Sequence, residues 1–192
     1  MNDKSVILCG HYLSLPSCKV DLMKGAQKEL SFQALNRFAQ VPVIVHDNKT
    51  IIQSDVILVY LAEQFSAMDG GTEEERLGVR EWLCWQADRL WNITRARSQI
   101  KFQNGAPAVV DQLQGASRDA LGVLDAHLEG DDFIAGSAPT IADVACYTVI
   151  AHAGDAELDI SEWPAITDWQ ARMNAHHGCG DLEDIMPRES RA

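Results

Sequence analysis

The chain has 192 residues, 46% of them hydrophobic, enough to bury the core of one large or two small domains. Its formal net charge of −12 is unevenly placed: residues 1–66 carry six Lys/Arg and six Asp/Glu, whereas residues 67–192 carry ten against 22. That balance excludes nucleic acid as a partner, because phosphate binding needs a basic surface, and an anionic ligand is repelled least by the neutral first third. No run of 18 apolar residues offers a membrane span, and the charged start over residues 1–5 does not read as a signal peptide, which points to a cytoplasmic protein. Five cysteines, Cys9, Cys18, Cys84, Cys146 and Cys179, are odd in number and scattered without a CxxC pair. They read as reduced thiols, not as a zinc site or a disulfide framework.

Residues 6–9 read as a first strand, followed by GHYLSLPSCKV over residues 10–20. Only ten residues separate Cys9 from Val20, Gly10 and Pro16 among them, whereas a parallel crossover takes a dozen or more and is usually helical. At most a turn of helix fits around residues 17–22. Either residues 19–22 supply a vestigial second strand, or that strand is lost and a three-membered sheet keeps an exposed edge that a dimer mate could cover.

The densest pattern is QVPVIVHDNKTIIQSDVILVYL, residues 40–61. Residues 43–45 and 50–52 are β-rich and flank Asp47-Asn48, the composition of a hairpin. Ser54 then stands where a helix N-cap belongs. Pro42 heads the first of these strands, a position that reads as a turn with a cis bond. Val41 would then turn its N–H and C=O outward, as a sheet edge does towards an extended peptide. The helix after Gln53 begins with unpaired N–H groups and a positive dipole end, which favour a carboxylate. Together these features imply capture of a small anionic peptide.

A boundary falls at SAMDGGT, residues 66–72, and the rest of the chain reads as helical. Thr72 and Glu75 form a capping box that opens a long helix to about Phe102, with Leu83, Ala87, Leu90 and Thr94 on one face. Residues 107–128 form a second helix, striped by Val110, Leu113, Leu121, Leu124 and Leu128, antiparallel to the first. Thr140 and Asp143 form another box, with Pro139 and Val144 as its staple. The helix it opens is apolar almost all round, from Ile141 to Ile150, and reads as the central buried helix of this domain. Trp163-Pro164 starts a last helix with Pro164 near N1.

The stretch DLMKGAQKELSFQALNRFAQVP, the Val-Pro pair, the Gln-Ser pair and the Thr140–Asp143 box resemble the glutathione transferase family over residues 19 to about 176. The resemblance implies an α/β thioredoxin-like N-terminal domain over residues 1–66, truncated so that its first helix and second strand are largely missing. An all-α helical-bundle domain over residues 72–192 would follow. It also implies a glutathione site at Gln40, Val41, Pro42, Gln53 and Ser54. Val41 would pair with the cysteinyl backbone, and Gln53 and Ser54 would hold the γ-glutamyl head. The loop GHYLSLPSCKV is similar to the family's catalytic loop and puts Ser14 at the thiol-activating position, with Tyr12 or Ser17 as substitutes.

On this likeness glutathione is the co-substrate, a small apolar electrophile is its acceptor in a detoxifying conjugation, and the protein is a homodimer without a metal. A truncated relative that binds glutathione or dimerises without turnover is the competing reading, favoured by the missing crossover. A disulfide oxidoreductase ranks third, since Cys9 and Cys18 lack the sequence spacing of a reactive pair. Trp82, Trp85 and Trp91 lie on the helix that lines the family's electrophile pocket, where core or dimer contacts compete as their role. Arg95, Arg97 and Lys101 read as complements to the helix dipole, and His176, His177 and Cys179 as a tail and not a metal site.

Overall fold

A computed structural model of the chain describes residues 7–10, 18–22 and 24–176, with residues 7–10, 18 and 19 as backbone alone. The chain divides into two compact units, one ending at Gln64 and the other beginning at Phe65.

The first unit is built on a sheet of order β2-β1-β3-β4, formed by β1 (Ile7–Gly10), β2 (Cys18–Lys19), β3 (Val43–His46) and β4 (Lys49–Ile52). β2 is parallel to β1, and the other two pairings are antiparallel. The second strand is therefore reduced to two residues rather than lost, and it starts one residue earlier than the expected 19–22. Seven residues suffice between β1 and β2 because Cys18 pairs with Cys9, near the end of β1. The chain has to return by only about one residue, not by a whole strand length.

The hairpin forms as its sequence dictates. His46 pairs with Lys49, and Asp47 and Asn48 both take left-handed φ values, +48° and +60°, the geometry of a two-residue type I′ turn. β3 is buried on both faces, with Val43 and Ile44 almost wholly enclosed and His46 at 5% exposure. Val20, Phe32 and Val43 make a core cluster, packed by Leu22, Ala26, Val41 and Ile52. Phe32 comes from α1 (Leu30–Gln33), a single turn after a 3-10 turn at Ala26–Lys28. Helix α2 (Ser54–Phe65) follows β4 directly. Its Tyr60 hydroxyl shares a 2.8 Å hydrogen bond with the buried His46 Nδ1, which ties the helix to β3.

In the second unit, α3 (Glu73–Trp85) opens on the expected capping box: the Glu75 N–H donates to the Thr72 hydroxyl, and the Glu75 carboxylate accepts from the Thr72 N–H. The long helix reaches Gln103 but is not uniform. π turns at Gln86–Leu90 and Gln99–Gln103 flank α4 (Asn92–Ser98). Leu83, Gln86, Leu90 and Ile93 are buried, at the three- and four-residue spacing of one helix face, while the expected Ala87 is exposed. Helix α5 (Pro107–Leu128) buries Leu121, Leu124 and Leu128 of its stripe, with Val110 and Leu113 half-buried.

Helix α6 (Ile141–Ile150) has seven buried residues and forms the centre. Asp143, fully enclosed at its first turn, accepts from the Thr140 N–H and hydroxyl on Oδ2 and from the Ile134 N–H and Trp169 Nε1 on Oδ1. Trp169 comes from α7 (Pro164–Ala175), which has Pro164 at N1 as expected. One carboxylate thus joins α6, α7 and the loop before α6. Each fully buried Ile or Leu around it contributes about 1.5–3 kcal/mol.

Candidate functional site

Register brings the two halves of the site together. Val43 pairs with Ile52, so Val41-Pro42 enters and Gln53-Ser54 leaves at the same end of the hairpin, on strands about 4.8 Å apart. β1 also ends here, with Cys9 opposite Val43. Its chain continues from Gly10 towards Tyr12, Ser14 and Ser17, which lie outside the described residues.

The first half is organised by a buried amide. Asn36 is 1% exposed; its Nδ2 donates to the Gln40 carbonyl at 2.7 Å and its Oδ1 accepts from the Phe38 N–H at 2.9 Å. The Ala39 N–H donates to the Asn36 carbonyl, and Ala39 takes the left-handed φ of +52° that closes this turn. The Val41-Pro42 bond is cis. Val41 is half-buried against the Val20, Phe32 and Val43 cluster, which fixes the orientation of its backbone. Among the described residues its N–H and C=O have no hydrogen-bond partner. The Gln40 carbonyl is taken by Asn36, leaving that residue its N–H and an exposed side chain.

The second half is the start of α2. Gln53 holds φ at +73° and its carbonyl accepts from the Ile57 N–H at 2.9 Å. The cap position is therefore Gln53, and Ser54 is the first helical residue rather than the expected N-cap. The N–H groups of residues 54–56 have no partner among the described residues, and the exposed Ser54 hydroxyl lies 3.5 Å from Asp55 Oδ1. Burial pushes the Asp55 carboxyl up, and the Ser54 hydroxyl pulls it partly back. An extended backbone segment and a carboxylate both find complementary groups at this end of the sheet.

Other expectations fare unevenly. Trp82 and Trp85 meet edge-to-face at 4.9 Å, and Trp82 packs on the ring of His127 at 4.6 Å, which occupies both indoles within the second unit. Trp91 is 39% exposed and lies outside those ring contacts. Arg97 and Lys101 pair with Asp155 at 3.1 and 3.8 Å, pinning the helix to the 3-10 turn Ala153–Ala156 instead of serving only its dipole. His177 and Cys179 lie outside the described residues. Among the described residues no three His, Cys, Asp or Glu gather as metal ligands, and no helix is long and apolar enough to cross a membrane. Two clefts, of about 710 and 650 Å³, lie on the second unit among Glu and Asp side chains and include no residue of the site. Their acidity suits neither an anionic peptide nor an apolar electrophile.

Asn36 escaped sequence reasoning because an asparagine before a proline-headed strand reads simply as a turn former. The only signal available was its position four residues ahead of Gln40.

Comparison with known proteins agrees with this geometry. Residues 16–63 match the glutathione S-transferase N-terminal domain and residues 90–177 the glutathione S-transferase C-terminal domain. The disulfide-bond oxidoreductase YfcG of Escherichia coli (strain K12) is 26% identical over 84% of this chain and 80% of its own. Glutathione S-transferase F10 of Arabidopsis thaliana is 31% identical over 69% of this chain and 66% of its own. A crystal structure of a glutathione S-transferase from Pseudomonas fluorescens superposes with a TM-score of 0.85 at 22% identity, covering 92% of this chain and 98% of that one. Both domain matches, in this order and on this fold, show that the chain belongs to the glutathione S-transferase family.

Proposed function

We propose that this protein binds glutathione at the end of the β3–β4 hairpin and conjugates it, through its sulfur, to a small apolar electrophile. The observation that carries the reading is the pair of Val41 backbone groups without a partner among the described residues, at the same end of the hairpin as the open N-terminus of α2. Val41 pairs with the cysteinyl backbone of the tripeptide. Gln53, Ser54 and the first N–H groups of α2 receive the γ-glutamyl head, with Gln40 and Pro42 lining the entry. The helix end adds about 0.3–1 kcal/mol for the carboxylate.

Chemistry requires the thiolate. Lowering a thiol pKa from about 8.5 to about 6.5 takes roughly 2.7 kcal/mol of preferential interaction with the anion. Ser14 supplies a hydroxyl donor for that purpose. The thiolate attacks the electrophilic carbon, the carbon–sulfur bond forms and the leaving group departs. The family's habit supports a homodimer, a cytoplasmic setting and a detoxifying role.

A second reading follows from the seven residues between β1 and β2. They leave little sequence for the helix whose N-terminus would aid the thiolate, which favours a protein that binds glutathione without turning it over. The test is a calorimetric titration with glutathione, followed by conjugation of an aryl halide by wild type and Ser14→Ala. Binding with turnover lost in the variant supports the transferase. Binding without wild-type turnover selects the second reading, and absence of binding removes both.

A further inference from the structure

Helix α2 carries an acid in its first turn that does not cap it. Among the described residues the one donor to the Asp55 carboxylate is the Ser54 hydroxyl, at a long 3.5 Å, while the N–H groups of residues 54–56 stay without a partner. A carboxylate has acceptor sites for about four donors, and no Lys, Arg or His among the described residues pairs with this one. Asp55 is half-buried, and that burial pushes its carboxyl up. An acid short of donors and partly desolvated is stabilised by a cation brought to it. The Ser54 hydroxyl has a single proton. Directed at Asp55, it leaves only lone pairs for a ligand, so Ser54 and Asp55 together present acceptors. The first turn of α2 therefore sets N–H donors for an anion beside a serine–aspartate pair for a cation. An acid at the second position of a helix reads in sequence as a complement to the dipole, which conceals this arrangement.

We propose that Asp55, together with the Ser54 oxygen, receives the α-ammonium of a γ-glutamyl peptide and so restricts the site to ligands with a free α-amine. The open N–H groups of α2 take the α-carboxylate, which sits on the same carbon of the γ-glutamyl head. Ser54 then serves the head as a hydrogen-bond acceptor and not as a donor to the carboxylate. A head with the carboxylate alone meets the Asp55 charge at close range, and the adjacent ammonium turns that repulsion into attraction. Asp55 is thus a specificity residue: it distinguishes a zwitterionic head from a purely anionic one. The assignment rests on the glutathione reading and adds to it which group of the ligand each part of the first turn holds.

The test is calorimetric titration of the full-length protein with glutathione, with its des-amino analogue glutaryl-cysteinylglycine, and with its decarboxy analogue γ-aminobutyryl-cysteinylglycine. Wild type is expected to bind the des-amino analogue at least about tenfold more weakly than glutathione, the worth of one charge-assisted hydrogen bond. In Asp55→Asn glutathione loses about tenfold while the des-amino analogue gains, because the charge that repelled it is gone, and the two affinities converge. The decarboxy analogue, which keeps the ammonium, is weakened by the same substitution. Equal losses for glutathione and the des-amino analogue would reduce Asp55 to a structural residue and overturn the proposal. A wild type that binds those two peptides alike would overturn it as well, and that comparison stands by itself if the variant fails to fold. In Ser54→Ala, a loss that spares the decarboxy analogue would give the hydroxyl to the carboxylate and overturn the assignment of Ser54. Failure of the glutathione reading looks different: wild type then binds none of the peptides, which removes the site and this assignment together, whereas binding without discrimination removes the assignment alone.

Discussion

Replacing Asn36 tests whether the fold positions the candidate site as described. In Asn36→Ala the Gln40 carbonyl and the Phe38 N–H lose their side-chain partner. Two hydrogen bonds at about 0.5–1.5 kcal/mol each set the loss at about 1–3 kcal/mol. Phe38 and Gln40 are themselves exposed, so water replaces part of the interaction and the lower half of that range is expected. The consequence for binding is separate. Val41 follows the carbonyl that Asn36 holds, and freeing one backbone residue that must be reordered on binding costs about 1–2 kcal/mol. That corresponds to glutathione binding weakened roughly tenfold. Asn36→Asp keeps the acceptor for Phe38 but sets a carboxylate oxygen against the Gln40 carbonyl, so its affinity falls at least as far. Denaturant unfolding gives the first quantity and calorimetry the second. A variant that loses stability yet binds glutathione like wild type would refute the coupling between this buried amide and the site.

Three further perturbations probe other parts of the structure. Gln53→Gly relieves a left-handed φ and is expected to raise stability by up to about 1 kcal/mol while weakening glutathione binding; a variant that is more stable and binds equally well would show that the Gln53 side chain has no part in the site. Asp143→Ala leaves the Ile134 and Thr140 N–H groups and the Trp169 indole N–H without their acceptor, and should lower stability by about 3–5 kcal/mol in urea unfolding, with Asp143→Asn retaining part of it. Backbone N–H groups of Thr72, Gly71 and Ser137 hold the Glu75 carboxyl below the usual glutamate range. A depressed folded pKa contributes stability above the unfolded value that is lost as pH falls through the folded one. The melting temperatures of wild type and Glu75→Gln should therefore differ at pH 7 and converge below about pH 4.3.

Sequence revealed the features whose cause is local. Asp47-Asn48 between two β-rich runs specifies its turn through the left-handed preference of both residues, and the Thr72–Glu75 box needs only a three-residue spacing. The reach of the helical segment to about residue 102 follows from periodicity in the same way. Its π turns do not, because a wide turn leaves unchanged the residue types that suggest a helix, and burial of the polar Gln86 in place of Ala87 has no mark in composition. Asn36 was illegible for a related reason: a buried asparagine and a solvated one are written alike, and only packing distinguishes them. β2 was hard to see because two residues carry no alternation at all. Its partner β1, and not its own composition, makes Cys18–Lys19 a strand.

The two halves of the proposed chemistry rest on different parts of this first unit. Val41, Gln53 and Ser54 are placed by the β3–β4 register, the Asn36 turn and the His46–Tyr60 bond, all encoded within residues 36–60. None of these interactions involves the short connection between β1 and β2. The proposed activation of a thiol at Ser14 rests on that connection, whose seven residues form no part of the hairpin. Affinity for the tripeptide and depression of its thiol pKa are therefore separable quantities in this chain. The thiolate absorbance of bound glutathione, titrated against pH, measures the second in a protein whose calorimetry has measured the first. A bound thiol with an unshifted pKa would place this protein among binders, and a shift of about two units would place it among transferases.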